Sequence, residues 1–189
     1  MPGVTCLVVS ATAAEAAHVP EGLEVVVTGL GKTAAATGTA RTLATRTDLS
    51  HLTVVNIGTA GALRDGLTGL FLPGAVLNHD MNADAVRALG YDPQERLVIE
   101  GGDETVLASG DVFVTEPAVR ARLAERAHLV DMEGYAIAYA ARSFDVPVRL
   151  VKHVSDNADA GAMDWPALVD TSARVLGRWL SENCSPSAP

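Results

Sequence analysis

Three stretches of this chain, Val4 to Val9, Leu52 to Ile57 and Val148 to Val154, are apolar runs that read as strands of a sheet interior. A strand of this kind lacks the in–out alternation of a sheet with one wet face, so it needs cover on both sides. Helical patterns fall between the runs. Leu23 to Thr28 reads as a further strand, ending at Gly29-Leu30-Gly31, and Lys32 to Arg46 follows with helical composition. Ala75 to Leu77 reads as a strand, Ala83 to Leu89 as a short helix and Glu116 to Arg126 as a longer one. Tyr135 to Ser143 is helical, and Trp165 to Leu180 forms a terminal helix with Leu168, Val175, Leu176 and Trp179 at helical spacing. Arg96 to Ile99 and Thr105 to Ala108 flank Gly101-Gly102, which predicts a hairpin. The alternation predicts an α/β fold: one domain over residues 1–181, three layers, helices on both faces of a mixed central sheet, and a disordered tail over residues 182–189.

The composition supports this architecture. Apolar residues make up 48% of 189 residues and aromatics only 4%, so the core is built from Ala, Val and Leu, as in helices packed on a buried sheet. A net charge of −9 repels polyphosphate backbones, and nucleic acid is therefore not an expected partner. Cys6 and Cys184 form no CxxC and no disulfide framework, which fits a reducing compartment. With no basic leader and no apolar run of membrane-spanning length, the expectation is a soluble, cytoplasmic protein with no membrane partner.

Single motifs leave the chemistry open. Gly29-Leu30-Gly31-Lys32-Thr33 lacks the first glycine of a Walker loop, since position 26 is Val26. Gly29, Gly31 and Ala34 satisfy a GxGxxA pattern, but after the second strand instead of the first, which argues against a nicotinamide cofactor. Asn56-Ile57-Gly58-Thr59-Ala60-Gly61 is either a tight turn closing a strand or a ligand contact. Glu15 lies six residues past the first strand, as a surface glutamate or a site acid. Glu133 sits among core-like residues at a helix start, where it is functional or serves the helix dipole. Asp156 in Ser155-Asp156-Asn157 reads equally as a helix cap, an Asx-turn or an acid beyond a strand end, where α/β crevices lie. His79, Asp80 and Asp84 lack metal-ligand spacing, and neither metal nor cofactor is expected. Lys152 and His153 either hold an anion or solvate the sheet rim.

The order of the motifs is more specific than any one of them. Glu15 after the first strand, TGLGKTAAA, NIGTAGAL, HDMNADAVRALGY, SGDVFV, VDMEGYAIA and VSDNAD occur in one sequence. In this order they resemble the nucleoside phosphorylase and nucleosidase superfamily, nearest to the methylthioadenosine/S-adenosylhomocysteine nucleosidases. The resemblance spans about Val4 to Trp179 and implies a phosphorylase/hydrolase-like fold. It also implies roles. Asp156 would be the general acid for purine N7, held by Ser155, and Phe113 would stack on the base while the Val114 backbone reads its edge. Glu133 would bind the ribose hydroxyls and favour an oxocarbenium-like sugar, with Met132 packed against it. Glu15 would activate water, helped by Thr59 and Lys152. The substrate would be a purine nucleoside, and the protein a homo-oligomer, as a dimer.

Hydrolysis is favoured over phosphorolysis. A phosphorylase must bind a dianion, and this chain has Asn56 and Lys32 near its glycine turns where the superfamily has arginine; only Arg41 and Arg64 remain as replacements. The chain departs from the nucleosidase pattern at Lys152, which stands for an arginine, at Tyr135, and in a short segment between Gly61 and Gly101. These departures bear on the 5′ substituent. Alternatives are a phosphate-dependent phosphorylase, a futalosine-type hydrolase and a catalytically silent nucleoside-binding protein.

Overall fold

Residues Thr5–Ser10 form the first strand, and both of its faces are covered: Leu7 and Val9 join one apolar cluster, Cys6 and Val8 another. The computed structural model describes residues 5–159, 162 and 165–184. In chain order its elements are β1 (Thr5–Ser10), β2 (Glu24–Val27), α1 (Lys32–Ala44), β3 (Leu52–Ala62), β4 (Leu70–Phe71), β5 (Pro73–Asn78), α2 (Ala83–Ala88), β6 (Arg96–Val98), β7 (Asp103–Ser109), α3 (Pro117–Ala124), β8 (Leu129–Asp131), α4 (Gly134–Ser143), β9 (Val148–Asp156) and α5 (Trp165–Asn183). Val4, with which the first apolar run begins, lies outside the described residues.

The strands form one mixed sheet in the order β2-β1-β3-β8-β7-β5-β6, with β9 on β3 and β4 on β9. β1 pairs in parallel with β2 and β3, and β3 in parallel with β9. On one face Leu43 of α1 and Ile137 and Ala141 of α4 pack with Leu7, Val9 and Val54. On the other, Leu176 and Leu180 of α5 meet Val8, Val55, Ile57 and Val151. The layers are therefore helix, sheet, helix, as the apolar runs require. Each such Leu or Val contributes about 1.5–3 kcal/mol by leaving water. α4 is buried on nearly every side and is built of Ala, Ile and Tyr. It stops where Asp145 turns left-handed (φ 56°), two residues before Pro147.

Four expectations are corrected. Gly58 to Gly61 is not a turn: β3 runs on to Ala62, so the small residues lie in a strand whose backbone is bonded to β9. Its last two residues pair with β8 as well. The segments around Gly101-Gly102 do not form a hairpin. β5 lies between them, antiparallel to β6 and parallel to β7. Gly102 crosses Gly74 so closely that a Cβ would meet Gly74 Cα at 2.5 Å, a passage only glycine permits. The terminal helix continues to Asn183 and Cys184 is buried, so residues 182–184 are ordered; 185–189 lie outside the described residues. Its inner face is Val169, Ser172, Ala173, Leu176 and Leu180, whereas Leu168 is exposed.

Cys184 is joined to Cys6 in a disulfide with a Cα–Cα distance of 5.9 Å. The two stand 178 residues apart, and only the return of α5 across β1 brings them together. Cysteine usage thus no longer argues for a reducing compartment. No described helix is long and apolar enough to cross a membrane.

Candidate active site

Glu15 lies in the turns that follow β1 and is 5% exposed. Its Oε2 accepts hydrogen bonds from the Thr12 amide (3.2 Å) and hydroxyl (2.9 Å). Its Oε1 accepts from the Thr59 amide (2.8 Å) and hydroxyl (2.9 Å). Thr59 reaches it because β3 carries on past Ile57. The same hydroxyl accepts a bond from the Trp165 indole N–H (2.8 Å), at the first residue of α5. A carboxylate with this many donors is held in one orientation.

Glu133 stands at the start of α4, and its Oε1 accepts from the Gly31 amide at 2.7 Å. The next amide, of Lys32, donates to Asp111 Oδ1 at 2.7 Å. The glycine turn that resembles a phosphate loop therefore spends its first amides on the protein's own carboxylates. Burial, and then the charge of Asp131, push the Glu133 carboxyl up to about 7, against the Gly31 hydrogen bond and the charge of Lys152.

Asp156 ends β9. Its Oδ2 accepts from Ser155 Oγ (2.7 Å) and its Oδ1 from the Ala158 amide (2.8 Å). The Asx-turn that the sequence allows is thus present, and it aims the acid instead of merely capping the chain. Gly61 leaves the space: a Cβ there would sit 3.0 Å from Asp156 Oδ1.

These three acids border one cavity of about 410 Å³, within the usual range for a small-molecule site. Thr59, Phe113, Val114, Met132 and Ser155 also line it, so eight of the nine residues singled out from the sequence are brought together. Lys152 is the exception. It is 1% exposed, lies outside the cavity wall, and pairs with Asp131 at 2.8 Å. Its place on a predicted strand end could not show that the side chain turns inward.

Sequence reasoning missed Asp131, Trp165, Leu30 and Val112, all at the cavity. Asp131 belongs to the VDMEGYAIA motif, and that was its only signal; Trp165 reads as a helix residue in sequence. Asp80 is paired with Lys32 and Asp84 with Arg87. His153 Nδ1 shares a hydrogen bond with Ser172 Oγ at 2.9 Å, and burial lowers its proton affinity.

The profile of the phosphorylase superfamily matches residues 21–178. The chain is 29% identical over 147 residues to an aminodeoxyfutalosine nucleosidase of Helicobacter pylori, covering 65% of this chain and 64% of that protein. It is 29% identical over 138 residues to a 5′-methylthioadenosine/S-adenosylhomocysteine nucleosidase of Buchnera aphidicola, covering 59% and 54%. The chain thus spans less than two thirds of the length of either relative. In structure it resembles the 5′-methylthioadenosine/S-adenosylhomocysteine nucleosidase of Helicobacter pylori solved with butyl-thio-DADMe-Immucillin-A. That superposition has a TM-score of 0.81 at 21% identity, covering 95% of this chain and 97% of the other, a likeness of fold. With the profile running from β2 to β9 and through α1, α4 and most of α5, the chain belongs to the phosphorylase superfamily.

Proposed function

We propose that this protein hydrolyses the N-glycosidic bond of a purine nucleoside, a 5′-substituted adenosine, releasing free base and the ribose derivative. The observation that carries the reading is the charge of the cavity wall. Among the described lining residues the charged groups are Glu15, Asp131, Glu133 and Asp156, with no lysine or arginine. Such a wall favours a sugar that becomes cationic as the bond breaks and disfavours a phosphate dianion as nucleophile.

The roles follow the positions. Phe113 and Val114 flank the base, and Asp156, oriented by Ser155, donates a proton to N7 as the bond from C1′ to N9 breaks. The departing electron pair then settles on a neutral base. Glu133 accepts from the ribose hydroxyls beside Met132. Water adds to C1′ and gives its proton to Glu15, which Thr59 and Thr12 orient. Lys152 acts on this end of the site from behind, through charge. The two nucleosidase relatives support the substrate class.

Phosphorolysis would need a cation at the cavity. Arg41 and Arg64 are exposed, Arg64 bonds the Ala124 carbonyl at 3.2 Å, and neither borders it. We also read the protein as a homodimer. Leu30 (66% exposed) and Phe113 (48%) stand open around the cavity mouth, where a second copy would cover them. The test is base release from methylthioadenosine, adenosylhomocysteine, a futalosine-type nucleoside and adenosine, with and without phosphate. Release without phosphate is expected. Turnover only with phosphate would make the protein a phosphorylase, and binding without turnover on any of them a silent nucleoside binder. Light scattering on the eluting protein tests the dimer.

A further inference from the structure

One buried carboxylate at the site has no part in the steps above. Asp131 is the last residue of β8, and its side chain is 1% exposed. Its Oδ2 accepts from the Gly134 amide at 2.9 Å and pairs with Lys152 Nζ at 2.8 Å. Its Oδ1 accepts a short bond from Ser109 Oγ, which in turn accepts from the Tyr135 amide at 2.9 Å. The end of β7, the end of β8, the first turn of α4 and the middle of β9 therefore meet on one side chain. The approach is close: a Cβ on Gly134 would lie 3.0 Å from Asp131 Oδ2.

Folding alone does not call for such a cluster, because a buried ion pair is commonly matched in stability by apolar residues of similar volume. The location of the ammonium is more telling. The point that a Cβ on Gly58 would occupy is 3.2 Å from Lys152 Nζ and 3.3 Å from Glu15 Oε1. Lys152 thus stands behind the wall between Glu15 and Asp131, while Asp131 and Glu133 are two residues apart around the start of α4.

We propose that Asp131 is a positioning residue for the ribose end of the cavity, anchoring Lys152 by an ion pair and the backbone beneath Glu133 through the Gly134 amide. One ammonium then serves three carboxylates: Asp131 directly, and Glu15 and Glu133 through its field. The proposal rests on the nucleosidase reading for what Glu133 does. The groups facing Glu133 are Asp131 of β8, Lys152 of β9, Glu15 from the turns after β1 and the Gly31 amide at the start of α1, with Asp156 on the same cavity. Asp131 favours the protonated form of Glu133, and Lys152 favours the charged form.

Substitutions at the two partners should move Glu133 in opposite directions. Asp131→Asn removes the repelling charge and releases the ammonium toward the other acids, so Glu133 ionises at lower pH. Lys152→Gln leaves Asp131 uncompensated and raises the pH at which Glu133 ionises. The experiment measures kcat/KM for base release against pH in wild type, both single variants and the double variant. The expected result is a limb near pH 7 in wild type, moved down by roughly one pH unit in Asp131→Asn and up in Lys152→Gln. Activity lost equally at every pH, with the limb unmoved, would overturn the proposal and leave Asp131 a structural residue. If the singles fail to fold, the double variant decides: the raising effect of Asp131 exceeds the lowering effect of Lys152, so losing both should still move the limb down, and a limb at the wild-type pH or above it overturns the proposal. The titration of Glu133 is also followed by carbon-13 NMR of labelled carboxylates in the same proteins, without turnover. Wild type that releases no base therefore refutes the nucleosidase reading while the coupling among Asp131, Lys152 and Glu133 is still measured.

Discussion

Replacing Glu133 with Gln should make the protein more stable at neutral and alkaline pH, while removing the proposed base release. In the fold, burial and Asp131 raise the Glu133 carboxyl from 4.5 to about 7. The unfolded chain loses that proton near 4.5, so between the two values the native state holds a proton that the unfolded state has released. Stability from this group is accordingly full below pH 4.5 and declines until pH passes about 7. Each pH unit between those two values is worth roughly 1.4 kcal/mol, so the decline is on the order of 3 kcal/mol. Gln keeps an oxygen for the Gly31 amide and carries no charge at any pH. Wild type and Glu133→Gln should therefore match near pH 4.5 and diverge to about 3 kcal/mol in favour of the variant at pH 8. The half-buried histidines His79 and His153 titrate in both proteins and cancel in the difference. Urea unfolding at about pH 4.5, 6, 7 and 8, followed by the fluorescence of Trp165 and Trp179, supplies the curves. Equal m-values in the two proteins would confirm a common unfolded state. A free-energy difference constant across that range would refute the argument, because Glu133 would then be no harder to ionise in the fold than in water.

Three further outcomes are expected. Gly58→Ala places a methyl 3.2 Å from Lys152 Nζ and 3.3 Å from Glu15 Oε1; kcat/KM should fall by about tenfold or more for a stability loss of ~1–3 kcal/mol, as measured by steady-state kinetics beside urea unfolding. Trp165→Phe keeps an apolar wall but removes the indole donor to Thr59; a several-fold loss of kcat is expected in steady-state assays, about what one hydrogen bond of ~1 kcal/mol supplies. Cys184→Ser opens a link that closes nearly the whole chain; Tm should drop with a loss of ~2–4 kcal/mol, and reductant should lower wild type to match while leaving the variant unchanged.

Much of the fold was legible because it rests on local periodicity. Val8, Val55, Ile57 and Val151 form runs that only a sheet covered on both faces can bury, and α1, α4 and α5 follow from composition and breakers. The acids were legible in a different way. Glu15, Glu133 and Asp156 each have a structural excuse when taken singly, and only their place in an ordered series of motifs marks them as one set.

What the sequence determined by itself was therefore the layer architecture, the superfamily resemblance and the membership of the acidic set, since short-range pattern and residue order carry that information. Tertiary structure decided the rest. Pairing partners are set across long separations, which is why β5 displaces the expected hairpin and β3 runs through its glycines. The joining of Cys6 to Cys184 depends on where α5 comes to lie. Lys152 has the composition of a rim residue, yet the register of β9 turns it inward onto Asp131. The charge state of Glu133 belongs to no segment of the chain: it arises from burial and from the groups that β8, β9, α1 and the turns after β1 bring to one place.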